Sequence, residues 1–196
     1  MGVGQIMNRA VFLDRDGVIN QNVFNNATQE WESPHSPADF KLFPWTIESL
    51  LRLQEHQFQL FLVSNQPSFA KGKTSLENIK AIQAEFHSIL LKNKIYFKEY
   101  YYCYHHPHGI VPELSIQCDC RKPGAFFLNE AKRKYSLDMS NSWMAGDRGS
   151  DILCGQKAGV KTLLIINEEE RSKKLQDVVP DFKVKNLQEA VNIIIR

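Results

Sequence analysis

No apolar run in the 196 residues approaches the roughly 20 that a membrane-spanning helix needs, so a membrane partner is not expected. Residues 1–9 hold no apolar core of the kind a secretory signal carries. Only four cysteines are present, and without a secretion signal a disulfide framework is not expected either. Charge of one sign is also scarce: the formal net charge is +2, too little to make nucleic acid the default partner. No internal repeat, low-complexity tract or linker breaks the chain. These absences leave a cytoplasmic single domain over 7–196, with 1–6 as a leftover or disordered start ahead of Met7. The length suffices to bury a substantial core, and 43% hydrophobic with 23% charged residues is ordinary for a globular chain.

What is present is organised around Val11-Phe12-Leu13-Asp14-Arg15-Asp16-Gly17-Val18-Ile19-Asn20. The apolar run 10–13 predicts a short buried strand. It stops at two carboxylates one residue apart, followed by a glycine that can take the turn. Carboxylates so close repel unless a cation lies between them or one keeps its proton. Taken alone, Asp-x-Asp-Gly is a polar turn; the residues downstream give it a role.

After Asn20 the stretch 21–39 shows no helical or strand period and is expected to be a long loop over a crevice. Ile47, Leu50, Leu51 and Leu53 predict an amphipathic helix over 46–55. A strand is expected over 59–63, then a long helix over 74–94 opened by a Thr74/Glu77 capping box. Further strands are expected over 98–103, 143–145 and 162–166, and helices over 125–135, 150–158 and 187–195. Strands alternating with helices predict an α/β fold with a doubly wound, mostly parallel sheet. The basic clusters Lys71/Lys73 and Lys132-Arg133-Lys134 are read as solvated faces.

Asp14 and Asp16 follow the first strand, Ser64 and Asn65 the second, and Asp147 the strand over 143–145. A parallel sheet gathers such carboxyl-end residues into one crevice. Lys122, ahead of a helix, would add a fixed positive charge. This set suits phosphoryl transfer through an aspartyl phosphate, in which Mg²⁺ and a cation offset the repulsion between a carboxylate and a phosphate dianion. Asp14 is the expected nucleophile and Mg²⁺ ligand, and Asp147 a second ligand. Asp16 is the expected general acid and then general base. Ser64 and Lys122 would hold the phosphoryl oxygens, and Asp151 would orient Lys122 or a metal-bound water.

A second constellation is Cys103-x-His105 with Cys118-x-Cys120. Three thiolates and an imidazole make a closed tetrahedral set for Zn²⁺. The stretch 106–117 between the pairs has little hydrophobic support, so a metal clip over 103–120 would order it. His106 and His108 compete with His105 for the fourth place, and Cys154 is expected to be a small core residue.

The motifs Phe12 to Gly17, Ser64-Asn65-Gln66, Cys103 to Pro123 and Gly146-Asp147, in this order, resemble the haloacid dehalogenase superfamily of Mg²⁺-dependent phosphatases. More narrowly, they resemble the D-glycero-D-manno-heptose-1,7-bisphosphate 7-phosphatases and the related histidinol-phosphate phosphatases. The resemblance implies a Rossmann-like sheet without a large cap domain, and a small-molecule phosphate ester as substrate. It also implies Mg²⁺ contact from the Asp16 backbone carbonyl, and substrate contacts from Asn22, Asn65, Gln66, Arg121 and Arg148. The chain departs from the family pattern at Pro67-Ser68, which replaces a Ser-Gly pair and removes an N–H donor, at Phe69 and Trp45, and in the loop after Asn20.

Overall fold

The four residues of β1 (Ala10–Leu13) are all buried, as a strand with neighbours on both edges and layers on both faces must be. In the computed structural model, which describes residues 8–167 and 178–196, β1 lies inside a sheet of six strands. The reading of 1–6 as a leftover lies outside the described residues. A short hairpin, β2 (Val23–Asn25) and β3 (Glu30–Glu32), stands apart from that sheet. The other sheet strands are β4 (Gln59–Asn65), β5 (Phe97–Cys103), β6 (Trp143–Gly146), β7 (Lys161–Ile165) and β8 (Phe182–Val184). Their order is β5-β4-β1-β6-β7-β8, and every pairing is parallel.

Side chains alternate across the sheet. Val11 and Leu13 face one layer, with α1 (Thr46–Glu55), α2 (Leu76–Lys92) and α5 (Leu187–Ile194). Ala10 and Phe12 face the other, with α3 (Phe126–Tyr135) and α4 (Gly149–Ala158). The doubly wound expectation therefore holds, and Cys154 sits fully buried in the second layer. The connection from β1 leads to β4 on one side while β6 flanks it on the other. This makes the carboxyl end of β1 the switch point where such sheets open a crevice.

Two expectations are corrected. The stretch 21–39 is no plain loop: its strands pair antiparallel, Phe24 opposite Trp31, and Gln29 takes a left-handed φ of 54° at the turn. Strands of three residues are too short to display an alternation, which is why none was visible. The capping box at Thr74 does not form. Thr74 Oγ1 donates to the His35 carbonyl at 2.5 Å, and Ser75 caps α2 by accepting from Asn78 N at 3.2 Å.

Candidate active site

Asp14 leaves β1 where its N–H donates to the Ala145 carbonyl at 3.0 Å, extending the ladder by one residue. The turn after it needs Gly17, whose φ is +83° and whose missing Cβ would lie 2.4 Å from Asp147 Oδ2. Oxygens of Asp14, Asp147 and Asp151 lie within 4.8 Å of one another. An all-oxygen donor set of this kind fits a hard divalent cation such as Mg²⁺.

Lys122 lies buried against the carboxylates. Its Nζ is 3.0 Å from Asp14 Oδ1 and 2.7 Å from Asp151 Oδ1, and donates to the Val63 carbonyl at 2.7 Å. Burial alone would depress its pKa; the carboxylates of Asp14 and Asp151 outweigh that and hold the ammonium above the ordinary lysine range. Asp151 is fully buried, which raises its pKa despite Lys122. Its Oδ2 accepts from Arg148 N at 2.9 Å, so the side chain ties the start of α4 to the lysine.

Asp16 has a different surrounding. Burial would raise its pKa, but the Arg15 charge and hydrogen bonds from Asn20, Gln66 and Arg15 hold it below the ordinary aspartate value. Arg15 Nη2 reaches Asp16 Oδ1 at 3.0 Å and Gln66 Oε1 at 3.0 Å. Gln66 Nε2 in turn donates to Asp16 Oδ2 at 2.6 Å and to Ser64 Oγ at 2.9 Å. Asp16 is thus an ionised acceptor in this arrangement.

These groups open into a cavity of about 320 Å³ that Lys71, Lys73, Arg121 and Arg148 also line, together with Glu30 and Glu32. Residues Glu30, Trp31 and Ser33 of the hairpin and the segment after it roof it. Partial burial and then Lys71 and Arg121 pull the nearby His106 imidazole down to about 4.

The four residues of the Cys/His constellation converge. Cys103, Cys118 and Cys120 Sγ and His105 Nδ1 lie within 4.8 Å, with Cys120 3.2 Å from Cys118 and 3.4 Å from His105 Nδ1. No disulfide joins these thiols. His106 and His108 stand outside the group: His106 Nδ1 accepts from His108 N at 3.1 Å. This donor set fits tetrahedral Zn²⁺.

A HAD-hydrolase-like family model matches residues 119–190. D-glycero-alpha-D-manno-heptose-1,7-bisphosphate 7-phosphatase of Photorhabdus laumondii is 32% identical over 158 residues, 81% of this chain and 82% of that one. The chain belongs to the heptose-1,7-bisphosphate 7-phosphatase family of HAD-like hydrolases. The D-glycero-beta-D-manno-heptose-1,7-bisphosphate 7-phosphatase of Vibrio cholerae is 34% identical over 157 residues, 80% of each chain. In fold, this phosphatase is similar to D,D-heptose 1,7-bisphosphate phosphatase from B. bronchiseptica, crystallised with magnesium and phosphate. The two share a TM-score of 0.78 and 23% identity over 95% of this chain and 98% of that one.

Within this phosphatase the expected residues are distributed as follows. Asp14, Asp16, Asn65, Arg121, Lys122 and Arg148 all line the one cavity. Ser64 and Gln66 lie buried behind it in the Asp16 network, and Asn22 is buried beside Gly17. Both arms of the Asn65 amide engage the Lys122 backbone, at 3.1 Å each. Pro67 lines the cavity, whereas Trp45 stacks on Phe43 at 5.0 Å.

Sequence reasoning missed Arg15 and Lys71. An arginine flanked by two carboxylates at a strand end was a usable signal for the first. For Lys71 and Lys73 the solvated-face reading holds, since both are exposed, but it is incomplete: both line the cavity, and Lys73 pairs with Glu32. A position just after β4, at the sheet's carboxyl edge, was the available signal.

Proposed function

We propose that this phosphatase hydrolyses the 7-phosphate of D-glycero-D-manno-heptose 1,7-bisphosphate, a step in making activated heptose for lipopolysaccharide or other surface glycans. The observation that carries the substrate is charge layout. One cavity is lined by the carboxylates of Asp14 and Asp16, which suit nucleophilic attack, and by a group of cations, Lys71, Arg121 and Arg148, that suits a second phosphate. Histidinol phosphate would bring its ammonium to that same group of cations, an unfavourable pairing.

Asp14 attacks phosphorus through Oδ2, since Lys122 and Arg15 N–H both bind Oδ1. The P–O bond to the sugar breaks, and Asp16 gives its proton to the departing alkoxide. To carry that proton, Asp16 leaves the Arg15 guanidinium, takes up a proton from solvent and turns to the bridging oxygen. Asp16 then takes a proton from the water that hydrolyses the aspartyl phosphate. Lys122 and Ser64 steady the phosphoryl oxygens. Asp14, Asp147 and the Asp16 carbonyl would hold Mg²⁺, which would supply charge neutralisation. Zn²⁺ on Cys103, His105, Cys118 and Cys120 is structural, because four protein ligands leave no open position. The enzyme is placed in the cytoplasm as a monomer acting on a small molecule, with no nucleic-acid or membrane partner. No helix among the described residues is long and apolar enough to cross a bilayer.

The test is phosphate release with Mg²⁺ from both heptose 1,7-bisphosphate anomers, histidinol phosphate and a generic sugar monophosphate. One heptose anomer is expected to lead in kcat/KM by about a hundredfold, or ~2.7 kcal/mol. Asp14→Asn is expected to lose turnover and keep the wild-type melting temperature. A flat profile, or preference for histidinol phosphate, overturns the substrate; substantial turnover by Asp14→Asn overturns the aspartyl phosphate.

A further inference from the structure

We infer that Lys71 is a specificity-determining residue, the third cation of a distal anion subsite with Arg121 and Arg148, and selects substrates carrying a second phosphate. This deepens the proposed function and rests on it. Lys71 belongs to a tight turn after β4, in which its N–H donates to the Pro67 carbonyl at 2.9 Å and Lys73 N to the Ser68 carbonyl at 2.9 Å. Gly72 closes the turn with a φ of +67°. The Ala70 carbonyl beside it accepts Ile110 N at 2.6 Å, which docks the 103–120 loop against the turn. The backbone of Lys71 is therefore held on both sides, and its side chain reaches the cavity that Asp14 also lines.

Two of these cations lack a paired carboxylate. Among the described residues no carboxylate lies within ion-pair distance of Lys71 or Arg121, whereas Arg148 faces Asp147 at 3.8 Å and is also held by the charges of Asp14, Asp151 and Asp16. Lys73, two residues on, is already paired with Glu32. Partial burial, then Arg121, Lys73 and Arg148, push the Lys71 pKa below the ordinary lysine value, and Glu32 offsets this only in part. A dianionic phosphate at these cations would relieve the repulsion among them, while the carboxylates of Asp14 and Asp16 keep it from binding beside them unaided.

The deciding experiment compares heptose 1,7-bisphosphate with heptose 7-phosphate, for wild type, Lys71→Met and Lys71→Arg. Methionine keeps most of the apolar stem and removes the charge; arginine restores it. In Lys71→Met the ratio of kcat/KM for bisphosphate over monophosphate is expected to fall about tenfold, chiefly through KM, as loss of a charge on a partly solvated anion site implies. Lys71→Arg is expected to recover most of the ratio, and all three proteins to melt within a few degrees of each other. A wild-type preference that Lys71→Met retains in full overturns the inference and leaves the functional reading standing. A wild type indifferent to the second phosphate overturns both.

Discussion

Lys122 can stay charged inside the protein because Asp14 and Asp151 share it, and Asp151 can stay buried because Gly146 has no side chain. A Cβ on Gly146 would lie 2.2 Å from Asp151 Cβ. Asp151→Asn keeps the shape and removes one charge from the pair. The Lys122 ammonium then rests on Asp14 alone, which draws the nucleophile into a tighter ion pair and leaves the lysine less well compensated. The expected result is a destabilisation of ~1–3 kcal/mol in denaturant melts, together with a lower kcat and little change in KM. Full kcat in a protein of reduced stability would show that Asp151 serves the fold alone. At this scale the sequence disclosed which charged groups would meet, because Asp14, Asp147 and Lys122 each follow or precede a recognisable element. It disclosed poorly the residues that act through others. Arg15 and Gln66 reach Asp16 only through side-chain directions that no local pattern encodes.

Among elements, the β2–β3 hairpin is the one whose placement depends on a few polar contacts. Glu32 receives Lys73 and accepts from Thr28 Oγ1 at 3.0 Å and Asn25 Nδ2 at 3.3 Å, while Ser33 Oγ meets Ser68 Oγ at 3.1 Å. Burial would raise the Glu32 pKa, but the hydrogen bonds from Lys73, Thr28 and Asn25 outweigh it and leave it below the ordinary glutamate value. A carboxylate with a depressed folded pKa stabilises fully above its unfolded value, about 4.3, and loses that contribution as pH falls through the folded value. Glu32→Gln is therefore expected to weaken hydrogen-exchange protection of hairpin amides at pH 7. The difference from wild type, on the order of 1 kcal/mol because Lys73 is partly solvated, should vanish well below pH 4. An equal difference at both pH values would remove the charge from the explanation. The hairpin, like β8, was illegible because three residues carry too little periodicity. By contrast β1 and α1 were read with their boundaries intact, since an unbroken apolar run and a clean helical stripe leave no other register.

Across the whole molecule, the 103–120 loop joins three parts of the site that the sheet alone would leave separate. Cys103 ends β5, and its carbonyl accepts Gln66 N at 2.7 Å, beside the Asp16 network. Cys120 precedes Arg121 and Lys122, both of which line the cavity. Ile110 in the middle docks on Ala70, next to Lys71. The topology was legible in the alternation of strands and helices, and the convergence of the four ligands in their spacing. The docking of Ile110 was not, because it is a backbone contact between distant segments. If Zn²⁺ closes this loop, removing it leaves three facing thiols without a counter-charge and frees both cations. Metal analysis is expected to find about one zinc per chain, and chelation to lower the melting temperature and activity together. Thiol titration gives a readout independent of turnover. Cys103, Cys118 and Cys120 should become reactive on chelation, while Cys154, buried with its thiol pushed up to about 12, stays protected until the fold opens. Absence of zinc would refute the clip. Unchanged activity after complete removal would mean that Asn65, which grips the Lys122 peptide from β4, positions the catalytic lysine without help from the loop.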